Sequence, residues 1–79
     1  MTPAERSAKG PKDPDLVEFG RKVREARLAA GLTLEAVADR SDLNWSYVAG
    51  CERGERNCTL RNLLRIARAL NVPASTLVP

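Results

Sequence analysis

The chain has 79 residues, 13 lysines and arginines against 10 aspartates and glutamates, two cysteines and no histidine. That length allows one domain with a thin stability margin, on the order of 3–5 kcal/mol, and a net charge of +3 is too mild to name a polyanionic partner. Histidine-ligated zinc and histidine acid–base chemistry are excluded, two cysteines alone are a poor metal site, and no apolar run is long enough for a membrane span or secretion signal, so a cytoplasmic protein without membrane contact is expected.

Residues 1–14 hold three of the five prolines and mixed charges without apolar periodicity, which predicts a disordered tail ahead of a domain over 15–79. The first helix is predicted from Asp15 to about Ala30, ended by Gly31, with Leu16, Phe19, Val23 and Ala26 or Arg27 on its inward stripe. Thr33 caps a second helix through Arg40, and Ser41, Asp42 and Leu43 make a turn. Asn44 caps a third helix to about Arg53, stopped by Gly54. Thr59 caps a fourth helix through Leu70, with a broad apolar face of Leu60, Leu63, Leu64, Ile66, Ala67 and Leu70. A last short helix is predicted from Pro73 to Val78. The expected fold class is all-α, a compact domain of five helices.

Between Leu34 and Arg53, apolar or small residues at Val37, Ala38, Leu43, Val48 and Cys51 let two short helices pack steeply while the second keeps one face free. This is a helix-turn-helix, whose second helix suits a DNA major groove. From Arg53 to Arg68 five arginines are opposed only by Glu55, so one end is locally basic and suits phosphate. No glycine-rich phosphate loop or paired catalytic carboxylates point to an enzyme.

Together with this order of elements, Gly31, Leu32, Ala38, Ser41, Tyr47, Glu52, Arg53, Gly54 and the ending LLRIARALNVPASTL resemble the Cro and phage-repressor helix-turn-helix proteins, the XRE family. Within it, YVAGCERGERNCTL looks most like the controller proteins of restriction-modification systems, through Gly50, Arg56, Asn57 and Thr59. The resemblance implies a lambda-repressor-like fold and a dimeric regulator with its third helix in the major groove of a near-palindromic operator. Helices four and five would form the subunit contact. The implied partners are double-stranded DNA, a second copy and, for an activator, RNA polymerase; no cofactor or small-molecule ligand is implied. The family's ion pair joining helix one to helix three matches Arg27 and Glu52. Departures from the family are Trp45, where Gln or Arg is frequent, Leu34, where Gln commonly contacts phosphate, and Asp42 in place of Gly.

On this reading the base-contact candidates are Asn44, Trp45 and Ser46 at the start of the third helix, with Ala49 and Gly50 one turn on, small enough to admit DNA closely. Asn44 and Ser46 serve equally as capping residues, and Trp45 as a contact for a thymine methyl, a sugar edge or a protein. Phosphate candidates are Thr33, Tyr47, Arg53, Arg56, Asn57, Thr59 and Arg61, with the helix-four amides adding an anion site. Leu60, Leu64, Leu77 and Val78 are dimer-interface candidates. Cys51 is expected to pack as a small apolar residue, and redox pairing with Cys58 is the disfavoured alternative, because buried thiols are inert. A rival to DNA binding keeps the fold as an antitoxin or other protein-interaction module, with Trp45 and Gly50 facing protein.

Overall fold

Each helix of this chain begins at a side chain that can accept a backbone N–H and ends at a residue able to turn left-handed. In the computed structural model, which describes residues 12–79, they are α1 (Pro14–Ala29), α2 (Leu34–Ser41), α3 (Trp45–Glu52) and α4 (Leu60–Leu70), followed by a single 3-10 turn, Ala74–Thr76. Asp13, Thr33, Asn44 and Thr59 cap them, accepting from the N–H of Asp15, Ala36, Ser46 and Asn62 at 2.8–3.1 Å.

The four exits share one motif. Gly31, Asp42, Gly54 and Asn71 all have φ between 57° and 73°, and the N–H of the following residue reaches back to a carbonyl of the last turn, as from Leu32 to Arg27 and from Leu43 to Ala38. Asp and Asn are among the few side chains that tolerate this conformation, so Asp42 makes the turn of the motif without glycine.

Two boundaries differ from the sequence reading. The first helix starts at Pro14 rather than Asp15, because Asp13 supplies the cap and proline suits the first turn. Residues 1–11 of the expected tail lie outside the described residues. The fifth helix is absent: Pro73 and Pro79 bracket a segment too short to nucleate an α-helix, and the chain closes only one 3-10 turn, with Leu77 N–H donating to the Ala74 carbonyl at 2.9 Å. Among the described residues there are four α-helices, no strand, and no helix long and apolar enough to cross a membrane.

The core gathers Phe19 and Val23 from α1, Val37 and Ala38 from α2, Val48 and Cys51 from α3, and Ile66, Ala67, Ala69 and Leu70 from α4. Leu77 completes it. Expected at a dimer surface, this side chain is instead 0% exposed, because the 3-10 turn folds it back onto α4.

Helix α1 crosses the C-terminal end of α3 at Gly20. A Cβ there would stand 2.5 Å from the Glu52 carbonyl oxygen and closer still to that of Cys51, both main-chain atoms that cannot step aside. Gly20→Ala is therefore expected to destabilise the domain by about 1–3 kcal/mol through overpacking, although alanine is worth about 1 kcal/mol over glycine in an unhindered helix. Thermal melts of both proteins check this; an alanine variant melting at or above the wild-type temperature would show that the helices do not meet so closely.

Candidate nucleic-acid interface

The angle between α2 and α3 is set from inside. Val37, Ala38 and Val48 are buried between the helices, and the Ser41 hydroxyl, also buried, donates to the Val37 carbonyl at 2.6 Å. The far end of α3 is tied to α1. Arg27 Nε donates to Glu52 Oε2 at 2.6 Å and Nη2 to Oε1 at 3.1 Å, a two-point pair whose side chains are only 10% and 5% exposed. Arg27 Nη1 donates to the Leu32 carbonyl at 3.0 Å. The Glu52 hydrogen bond, partly opposed by burial, raises the Arg27 pKa further. The Glu52 carboxylate is thereby neutralised where an uncompensated one would repel phosphate.

The start of α3 faces solvent. Asn44, Trp45 and Ser46 are all exposed, Trp45 to 48%. The Asn44 side-chain oxygen accepts from both the Ser46 N–H (2.8 Å) and the Ser46 hydroxyl (2.6 Å). Capping thus occupies that oxygen and leaves the amide N–H groups as Asn44's means of addressing another molecule. Beside Trp45 lies an open groove of about 300 Å³, lined also by Glu35, Ala38, Asp39, Asp42 and Leu43.

One turn further along, the structure corrects the sequence reading. Ala49 is 3% exposed and Gly50 is buried as well, so neither forms part of an open reading face. What covers Gly50 is Arg56: a Cβ on the glycine would fall 2.7 Å from Arg56 Cγ. The Arg56 guanidinium in turn stands 5.9 Å from the centre of the Tyr47 ring. The smallness of Gly50 admits an arginine stem of the same chain.

Tyr47 is half-buried, and its hydroxyl accepts from Asn62 Nδ2 at 3.1 Å, joining α3 to the first turn of α4. Burial raises its pKa, opposed by the Asn62 bond, which leaves the O–H intact as a donor. Arg53 is exposed and its Nε donates to Glu55 Oε1 at 2.9 Å, while Lys12 Nζ donates to the Arg53 carbonyl at 2.8 Å and lies 3.6 Å from Glu55 Oε2. The Arg53 hydrogen bond lowers the Glu55 pKa. Such exposed pairs are weak and open to competition by phosphate. Asn57 and Arg61 are exposed; Thr33 and Thr59 are exposed at their helix caps.

Two thiols lie behind this loop. Cys51 is fully buried and Cys58 half-buried, and both are free. The influence of Cys51 pulls the Cys58 pKa down to about 7 against the effect of burial, and Cys58 together with burial pushes Cys51 up. Of the apolar surface candidates, Leu60 is 71% exposed, Leu64 half-buried and Val78 48% exposed, with Lys22 Nζ donating to the Val78 carbonyl at 2.9 Å.

Sequence reasoning missed Gly20, the Arg56 cover on Gly50 and the Tyr47–Asn62 bond. A glycine inside an otherwise regular amphipathic helix was the available signal for the first. The other two join residues from separate elements and have none.

This arrangement of caps, turn and a third helix exposed at its start recurs in known proteins. A family model described as a helix-turn-helix domain matches residues 18–77. The chain belongs to that helix-turn-helix family of DNA-binding transcription regulators and is not an enzyme. Control protein C.BamHI of Bacillus amyloliquefaciens is 39% identical over 61 residues, 76% of this chain and 75% of that protein. Among solved structures, the restriction-modification controller protein C.AhdI from Aeromonas hydrophila superposes with a TM-score of 0.80 at 48% identity, covering 82% of this chain and 98% of that one. The controller C.Esp1396I, solved as a tetramer with its natural 35 base-pair operator, gives a TM-score of 0.75 at 32% identity, covering 78% and 82%.

Proposed function

We propose that this protein is the controller of a restriction-modification system, a cytoplasmic regulator that binds a near-palindromic operator as a homodimer. The observation that carries the reading is Arg56 lying along α3 beside Tyr47 and Gly50, a cation flanking the helix that exposes Trp45 and Ser46 at its start. Helix α3 enters the major groove with Asn44, Trp45 and Ser46 toward base edges, while Arg53, Arg56, Asn57, Arg61, Tyr47 and the capped starts of α2 and α4 at Thr33 and Thr59 hold the backbone. Leu60, Leu64 and Val78 supply the apolar surface for a second copy. Two-fold pairing then requires half-sites about one helical turn, near 34 Å, apart. Contact with RNA polymerase, needed for activation, belongs to the same reading.

Titration with random and palindromic duplexes at two salt concentrations tests this. Six to ten phosphate contacts would weaken binding by roughly a thousandfold or more between about 50 and 200 mM salt. Arg56→Ala is expected to weaken all sequences alike and to flatten the salt dependence, whereas Trp45→Ala changes the ranking among sequences. Equal losses for both variants on every site would remove Trp45 from base readout. Absence of binding to any duplex at low salt would refute the reading and favour a protein-interaction module.

A further inference from the structure

We propose that Asn62 and Gly50 are positioning residues for DNA binding: the Asn62 amide turns the Tyr47 hydroxyl into an outward donor, and Gly50 is the seat that keeps Arg56 beside it. What the two donors meet rests on the proposed function; how they are held is a property of the free protein.

Tyr47 lies half-buried in the first turn of α3, and Asn62 in the first turn of α4. The Asn62 main chain is itself fixed, its N–H donating to the Thr59 hydroxyl at 3.1 Å, so its amide meets the phenol from an ordered helix start. Asn62 Nδ2 donates to the Tyr47 oxygen at 3.1 Å. An amide nitrogen can only donate, so the phenol accepts, and its own proton turns to the other side of the C–O bond. A hydroxyl that accepts one hydrogen bond donates a second more strongly. Without Asn62 the phenol is free to present a lone pair instead, which a phosphate repels.

Arg56 is exposed in the loop after α3, where an unsupported arginine samples many rotamers. Its stem lies instead on the recognition helix. A Cβ on Gly50 would fall 2.7 Å from Arg56 Cγ and 3.3 Å from Nε, so any other residue would push the stem off. The guanidinium then stands 5.9 Å from the centre of the Tyr47 ring. Gly50 lies inside α3 and is not among the glycines with positive φ. Its backbone therefore has no need of glycine, which is a poor helix former; the arginine stem does. A phosphate arriving at two donors already in place need not order them, and that saving is the contribution of Asn62 and Gly50.

The test measures duplex affinity at low salt for the full chain, for Tyr47→Phe, Asn62→Ala, Arg56→Ala and Gly50→Ala, and for the doubles Tyr47→Phe with Asn62→Ala and Arg56→Ala with Gly50→Ala. Tyr47→Phe should weaken binding about tenfold, the equivalent of one charge-assisted hydrogen bond. Asn62→Ala should weaken it by a smaller factor, about threefold, and add nothing once the Tyr47 hydroxyl is gone. Gly50→Ala should weaken it about three- to tenfold, the range for ordering one long side chain, and add nothing to Arg56→Ala.

Two readouts on the free protein separate positioning from folding. Tyr47 is the only tyrosine, so the absorbance titration of tyrosinate reports it alone. Burial raises its pKa, as do Cys58 and Cys51, whereas the Asn62 bond lowers it; Asn62→Ala should move that titration upward. Gly50→Ala should melt no lower than wild type, since alanine is the better helix former and Arg56 can move into solvent, even as it binds DNA less. Equal losses from Asn62→Ala with and without the Tyr47 hydroxyl, or an unmoved titration, would overturn the role of Asn62. A Gly50→Ala variant that keeps its affinity, or that melts lower, would overturn the seat. A wild-type chain that binds no duplex would overturn the DNA-binding reading, while the titration still decides whether Asn62 holds the phenol.

Discussion

Glu52→Ala is expected to leave the domain largely unfolded at room temperature. Arg27 is buried, and its guanidinium is satisfied by both Glu52 oxygens and the Leu32 carbonyl. Removing the carboxylate strands a positive charge in a nearly closed site, at a cost of about 3–5 kcal/mol, which equals the whole margin expected of so small a core. The pair itself need not be stabilising. Replacing both partners by apolar residues of similar volume, Arg27→Met with Glu52→Leu, is expected to recover most of the loss, because desolvating two charges offsets much of their attraction. Urea denaturation followed by circular dichroism separates these cases. A Glu52→Ala midpoint indistinguishable from wild type would mean that Arg27 finds solvent without its partner. Since Glu52 is the last residue of α3 and Arg27 lies in the last turn of α1, the double variant should fold yet place the recognition helix less firmly, and its operator affinity reports that directly.

Leu77→Ala is expected to cost about 2–5 kcal/mol, the range for a large-to-small change at a site that cannot collapse. Its neighbour provides the control. Val78 is half exposed while Leu77 is sealed, so Val78→Ala should change stability by less than about 0.5 kcal/mol and act, if at all, on dimer formation. Denaturation midpoints and sedimentation of the two variants distinguish core from interface. If Leu77→Ala melted like wild type but dissociated a dimer, the residue would belong to the subunit contact after all.

Much of the fold is legible in the sequence because it is local. Caps and left-handed exits are chosen by side chains within a few residues of the groups they satisfy, so Thr33, Asn44, Thr59, Gly31, Gly54 and Asn71 mark helix ends without knowledge of the rest. The N-terminal boundary is local as well: Asp13 supplies the cap and proline suits the first turn, so the helix starts at Pro14. The candidate interface divides the same way. Exposure of Asn44, Trp45 and Ser46 follows from their place ahead of the first buried position of α3. The positions of Ala49 and Gly50 do not, because helical spacing tells which residues share a face but not whether a distant side chain such as Arg56 lies across it.

The amino-acid sequence by itself determined an all-helical domain, the helix-turn-helix within it, and the basic loop behind the third helix. Each of these rests on periodicity, capping chemistry or charge, interactions whose range along the chain is short. Tertiary structure alone decided that Leu77 is core, that Gly50 is covered, and that Gly20 lets α1 lie against α3. These are contacts between separate elements. They depend on how the helices cross, and the crossing is set by the packing of all of them at once.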